Sequence, residues 1–244
     1  MSLIQGKVAV VTGASSGVGK ALALRLAAEG ATVCLVARNL VKLQAVLEDT
    51  DNGAENLRPY AADLTVDAEI RQLAARLEHD FGHVDILVHS AGVISLGPVE
   101  SSPVEDLDSQ YRCNVRGPYL LTQALLPSLR GRGGQIVFIN SSAGISARAN
   151  VAQYAASKHA LRALADSLRE EVNADGVRVL SVYLGRTATP MQQAVHRFEG
   201  KPYQSERLIQ PDEVAALLVE LLALQQSAEI TEITLRPMLK PLRR

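Results

Sequence analysis

Short apolar runs rich in β-branched residues alternate along this chain with stretches whose apolar residues recur at helical spacing. The first run, KVAVVT at 7–12, shows no polar alternation and stops at Gly13, as a strand buried on both faces would. Val18, Leu22, Leu24 and Leu26 then place a helix between Gly17 and Glu29, which Gly30 ends. The pattern continues with strands near 32–37, 57–61, 84–88, 135–139, 177–183 and 229–235. Between them lie helices near 40–47, 67–79, 104–129, 153–174 and 212–224. Such alternation requires right-handed crossovers and a parallel sheet with helices on both faces. About seven strands suit one doubly wound, Rossmann-type α/β sheet. No linker or change in composition divides residues 1–244, so a single domain is expected. The polar stretch 191–210 has no clear period and follows a strand, which makes it a candidate substrate lid.

Composition removes several classes of function. Lys and Arg number 25 against 26 Asp and Glu, so no basic field attracts nucleic acid. No apolar run reaches the ~18 residues of a membrane span, and the first residues lack the pattern of a secretory signal. Cys34 and Cys113 have no metal-ligand spacing and sit among apolar or small residues, as buried free thiols do. A cytoplasmic enzyme acting on a small molecule is the expected class.

The first strand leads into Thr12-Gly13-Ala14-Ser15-Ser16-Gly17-Val18-Gly19. Glycine permits a tight turn and a close approach of backbone to phosphate, and the following helix offers free N–H groups and a positive dipole end. The loop is therefore a candidate nucleotide site. Its TGxxxGxG spacing resembles the short-chain dehydrogenase/reductase family. Further on, Tyr154 and Lys158 stand four apart, on one face of a helix. An ammonium there stabilises a phenolate and lowers the Tyr pKa towards the range of a general acid/base. Six tyrosines and six lysines in 244 residues make a chance pair at this spacing uncommon.

The resemblance covers residues 6 to about 236 and implies a set of roles. Ser141, followed by Gly144 and 13 residues before Tyr154, matches the family's substrate-orienting Ser. Ser142 is the alternative, or lines the substrate pocket. Asn114, in a stretch like NVxGxxxxT that ends at Thr122, matches the Asn of the proton relay; the bland alternative is an Asn bonding backbone in a helix kink. Asp63, with Leu64, matches an adenine contact, or else is a helix cap. Ser90, Ala91 and Gly92, with Gly185, Thr187 and Thr189, match further cofactor contacts, Thr189 at the carboxamide position. Ala37 stands where members using NAD carry an acid, and Arg38 beside it offers a guanidinium to a 2′-phosphate, so NADP is the expected cofactor.

Together these imply an NADP(H)-dependent oxidoreductase interconverting a carbonyl and an alcohol, with Tyr154 as general acid/base. Family members are commonly homodimers or homotetramers packed through helices like 104–129 and 153–174. A non-catalytic NADP-binding sensor or scaffold of the same fold is the alternative; it predicts loss of one of Asn114, Ser141, Tyr154 or Lys158, and all are present. The absence of a substantial added substrate domain argues against larger sugar-nucleotide epimerases and dehydratases. Two positions depart from the family: His89 replaces an Asn, where a hydrogen-bonded structural role is expected, and Leu184 replaces a Pro. His196, Arg197, Lys201, Tyr203 and Arg207 in the candidate lid read as a solvated loop, or as recognition of an anionic substrate. The basic tail from Arg236 to Arg244 is expected to pack at an interface or to fray.

Overall fold

The computed structural model describes residues 3–50, 54–225 and 227–239. Seven strands form one parallel sheet: β1 (Val8–Thr12), β2 (Thr32–Ala37), β3 (Leu57–Ala61), β4 (Ile86–His89), β5 (Gln135–Ser141), β6 (Arg178–Leu184) and β7 (Glu232–Leu235). Their order is β3-β2-β1-β4-β5-β6-β7. The helices are α1 (Gly17–Ala28), α2 (Leu40–Glu48), α3 (Asp67–Phe81), α4 (Val104–Tyr111), α5 (Gly117–Leu129), α6 (Ala152–Val172), α7 (Pro190–Phe198) and α8 (Pro211–Leu222). This is the expected Rossmann-type architecture, with most boundaries within a residue or two of the sequence reading.

Alternation along each strand divides the core in two. Ala9 and Val11 of β1 join Val33 and Leu35 of β2 beneath α1, α2 and α8. Val10 and Cys34 face the opposite way, into a cluster with Leu73, Leu121 and Leu161 of α3, α5 and α6. Both cysteines are buried and free. No helix among the described residues is long and apolar enough to cross a membrane.

Two segments differ from the sequence reading. The stretch 104–129 is interrupted by a π-helical turn at Arg112–Arg116. Pro118 has no N–H to give the Asn114 carbonyl four residues earlier, so the α-helical ladder cannot close there. Residues 191–210 are not loop throughout. Thr189 caps α7 by accepting from the Gln192 N–H at 3.2 Å, and Pro190 takes the first helical position. Residues 240–244 of the basic tail lie outside the described residues.

The chain winds from β1 towards β3 in one direction and from β4 towards β7 in the other. The loops after β1 and β4 therefore diverge, and a crevice opens at the strands' carboxyl ends. Thr12 fixes this point: its hydroxyl donates to the Val88 carbonyl at 3.1 Å and accepts from the Ser90 and Ala91 N–H groups at 3.0 and 3.1 Å. Gly19 lets α1 lie close against the end of β1, since a Cβ there would fall 2.5 Å from the Gly13 carbonyl oxygen. Gly19→Ala is accordingly expected to destabilise the protein by about 1–3 kcal/mol, read as a lower urea midpoint; an unchanged midpoint would show that α1 can shift freely.

Candidate active site

A cleft of about 560 Å³ runs across the carboxyl ends of the strands. It gathers almost all of the residues singled out in the sequence: Gly13, Ser15, Ser16, Gly17, Val18 and Gly19 after β1; Arg38 after β2; Asp63 and Leu64 after β3; Ser90, Ala91 and Gly92 after β4; Ser141 and Ser142 at β5; Tyr154 and Lys158 on α6; and Gly185, Thr187 and Thr189 after β6. Among the candidate catalytic and cofactor residues, Asn114 is the exception. It is fully buried in the π turn behind the cleft.

One end of the cleft suits a dinucleotide. Gly13 and Gly17 take left-handed φ values of 69° and 55°. A Cβ on Gly13 would fall 2.8 Å from the Ala91 backbone, so the loops after β1 and β4 meet only with glycine there. The N-cap of α1, Ser16, makes no side-chain capping bond, and no acid lies in the first turn. By contrast α2, α7 and α8 are capped by Asn39, Thr189 and the Gln210–Glu213 pair. The free N–H groups of α1 and its positive dipole end are thus open to an anion such as a pyrophosphate. Arg38 is exposed, lines the cleft and makes no hydrogen bond or ion pair among the described residues. Lys42, one turn into α2, lines the same end. The sequence reading missed Lys42, because Arg38 lies before the helix and no helical spacing links the two. Asp63 closes a turn, accepting from the Thr65 N–H at 2.9 Å and hydroxyl at 2.8 Å; it does not cap α3, whose N-cap is Val66.

The other end carries the polar chemistry. Ser141 sits at the tip of β5, where its hydroxyl accepts from the Ala143 N–H at 3.1 Å and stands beside the Tyr154 phenol, whose pKa it lowers. Asn140, which the sequence reading passed over, joins strand to helix. Its side-chain oxygen accepts from the Ser141 N–H at 2.7 Å, and its nitrogen donates to the Lys158 carbonyl at 3.1 Å. Gly144 makes the approach possible, because a Cβ there would lie 2.7 Å from Asn140 Oδ1 and 2.8 Å from the Lys158 carbonyl. Lys158 Nζ donates to the Ile139 carbonyl at 3.1 Å and lies 5.8 Å from the Tyr154 ring centroid. Asn114 Nδ2 donates to the Val93 carbonyl and to Ser157 Oγ, both at 3.0 Å, and its Oδ1 accepts from the Val93 N–H at 2.9 Å. Only Gly92 stands between Asn114 and Lys158; a Cβ there would be 3.3 Å from Asn114 Oδ1 and 3.9 Å from Lys158 Nζ.

Burial dominates the titration of both α6 groups. It pushes the Tyr154 phenol up to about 12, against a smaller lowering by the neighbouring Ser141 hydroxyl. It pulls the Lys158 ammonium down to about 8. Lys158, expected to lower the phenol, is not among the influences that set it; burial and the Ser141 hydroxyl are. Burial likewise raises the Cys113 thiol, leaving it protonated and unreactive.

His89 does not line the cleft. Its Nε2 lies 2.8 Å from Thr122 Oγ1, its ring stacks on Phe138, and burial pulls its pKa down to about 3, so it is a neutral packing residue. From 191–210, the cleft receives Met191, Gln192, Val195 and Glu199. His196, Arg197, Lys201, Tyr203 and Arg207 do not line it. His196 turns inward against Gln192 and Tyr203, and Lys201 pairs with Glu199 at 3.1 Å.

Known proteins share this arrangement. The family model for short chain dehydrogenases matches residues 7–200. An uncharacterized oxidoreductase of Staphylococcus epidermidis is 33% identical over 238 residues, spanning 97% of this chain and 100% of its own length. The alcohol dehydrogenase of Thermococcus sibiricus, solved with 5-hydroxy-NADP, superposes with a TM-score of 0.88 at 26% identity, covering 98% of this chain and 100% of that one. A metagenomic short-chain oxidoreductase solved with NADP gives a TM-score of 0.83 at 33% identity, over 97% and 99% of the two chains. With its family model matched across most of the chain, its parallel sheet and the cleft at that sheet's carboxyl edge, this chain belongs to the short-chain dehydrogenase/reductase family of oxidoreductases.

Proposed function

We propose that the protein is an NADP(H)-dependent oxidoreductase that interconverts a carbonyl and an alcohol. The observation that carries this reading is the Ser141–Tyr154 hydroxyl pair beside Lys158, at the far end of a cleft whose near end suits a pyrophosphate. NADPH, when bound, supplies the hydride. Tyr154 gives its phenolic proton to the carbonyl oxygen. Its high pKa keeps that proton in place at neutral pH, the form that reduction requires. Ser141 donates to the same oxygen, where alkoxide charge develops. Lys158 holds the cofactor's ribose hydroxyls and resupplies the proton, and Asn114 carries the relay behind it from the π turn. Ser142 lines the carbonyl compound's pocket.

NADP is favoured over NAD by Ala37, which has no acceptor for a ribose 2′-OH, and by the unpaired Arg38 with Lys42 close by. The NADP-bound relatives are in accord with this. Exposed Val104, Leu107, Tyr111 and Tyr119 on α4 and α5 support association of copies through that face.

Tyr154→Phe keeps the ring and removes the proton. Turnover should fall by ~10²-fold or more while NADPH affinity stays within a few-fold; reduction at near wild-type rate contradicts the mechanism. Cofactor choice is tested by titrating both nicotinamides. Wild type should prefer NADPH by about 10- to 100-fold, given roughly 1.5–3 kcal/mol for bonds to charged groups. Ala37→Asp should reverse the preference, and Arg38→Ala should weaken NADPH alone. Equal affinities in the wild type would make Arg38 a plain surface charge.

The buried Lys158 also has a stability signature. Its folded pKa, about 8, lies below its ordinary 10.5. The penalty for burying the ammonium is present in full below pH 8 and fades as pH rises towards 10.5, so stability without ligand rises through that window. Lys158→Met should raise the Tm at neutral pH, and its advantage should shrink as the pH approaches 10.5. A Tm difference that does not change with pH would mean that the ammonium is well solvated.

A further inference from the structure

The substrate end of the cleft is walled by apolar side chains, among them Ile94, Leu96, Val151, Met191 and Val195. Four charged groups also face it: Lys158, Arg186, Glu199 and Arg148. Three of them are already engaged. Glu199 accepts two bonds from Arg186, at 2.6 and 2.8 Å, and pairs with Lys201. Lys158 donates to the Ile139 carbonyl. The Arg148 side chain has no hydrogen bond or ion pair among the described residues, and no unpaired carboxylate at this end balances it.

The backbone holds Arg148 at the mouth. Its carbonyl accepts from the Val151 N–H at 3.3 Å, closing a tight turn. Within that turn Asn150 takes a φ of 64°, which no other non-glycine residue does among those described. The Asn150 carbonyl also accepts from the Gly97 N–H at 3.0 Å, which pins the turn to the loop preceding α4. A strained turn, tied to the loop before α4, therefore presents an exposed, unpaired guanidinium beside the apolar side chains of this end.

We infer that Arg148 binds an oxyanion of the substrate, so that this site selects carbonyl compounds with an apolar body ending in a carboxylate or phosphate. The inference rests on the carbonyl-reducing reading of the same cleft. A guanidinium presents a planar fork of donors that matches such groups two bonds at a time. The candidate anion-binding residues of 191–210 do not contribute, since none of them lines the cleft.

The test is calorimetric titration of the NADP+-saturated protein with straight-chain oxo acids of increasing length, their methyl esters and the matching oxoalkyl phosphates. At the best length, the acid or the phosphate should bind about tenfold or more tightly than the ester. Which of the two binds tighter identifies the oxyanion. Arg148→Gln should bring the charged ligands level with the ester, and Arg148→Glu should place them below it. Retained NADP+ affinity shows that each variant is folded. Equal binding of charged ligand and ester in the wild type overturns the inference, as does an absence of charged-ligand binding or an advantage that survives Arg148→Gln. If the Arg148-dependent advantage is present but none of these compounds oxidises NADPH, the oxyanion site stands and the carbonyl-reducing reading fails.

Discussion

The side-chain amide of Asn140 joins the end of β5 to α6, and the polar chemistry of the cleft depends on that join. Ser141 belongs to the strand, whereas Tyr154 and Lys158 belong to the helix. Asn140 accepts from the backbone N–H of Ser141 and donates to the backbone carbonyl of Lys158, so one buried side chain fixes strand tip and helix together. Leaving either partner unsatisfied in the interior would cost about 1–3 kcal/mol, enough to disfavour drift between the two elements. Gly144 contributes by omission, because a side chain there would collide with both Asn140 and the Lys158 carbonyl. The placing of the Ser141 hydroxyl beside the Tyr154 phenol follows from this junction.

A second constraint acts at the middle of the sheet. Thr12 ties β1 to the loop after β4 where the winding reverses, and the crevice opens beside it. Its two ends differ in character. The uncapped start of α1, with Arg38 and Lys42 nearby, makes the first end a place for phosphates. The second end buries a phenol and an ammonium, each held away from its charged form by desolvation. Burying that lysine destabilises the unliganded fold.

Local spacing made much of this legible. Strand runs and helical periods gave the architecture because both faces of the sheet are covered, so each central strand carries a short apolar run. The glycine loop, Ser141 and the Tyr154–Lys158 pair stood out for the same reason: each is a short pattern on one element. What stayed hidden involves partners distant in sequence. Asn140 belonged to no pattern in the sequence, and only the fold brings it to Lys158. The π turn comes from Pro118 together with the pull of Val93 on Asn114, of which Pro118 alone is local. Helix α7 was read as loop because its polar face dominates nine residues, although Thr189 and Pro190 mark its start. The upward shift of the Tyr154 phenol was out of reach as well, since burial causes it and burial is a property of the folded state.

The central claim is that this cleft moves a hydride between a nicotinamide and a carbonyl carbon while Tyr154 handles the proton. The most direct measurement uses NADPH carrying deuterium at C4, on one face and then on the other, with mass spectrometry of the alcohol formed. The account predicts one deuterium on the carbinol carbon from one face only, with the hydroxyl proton drawn from solvent. Cofactor consumed without deuterium reaching that carbon would contradict it.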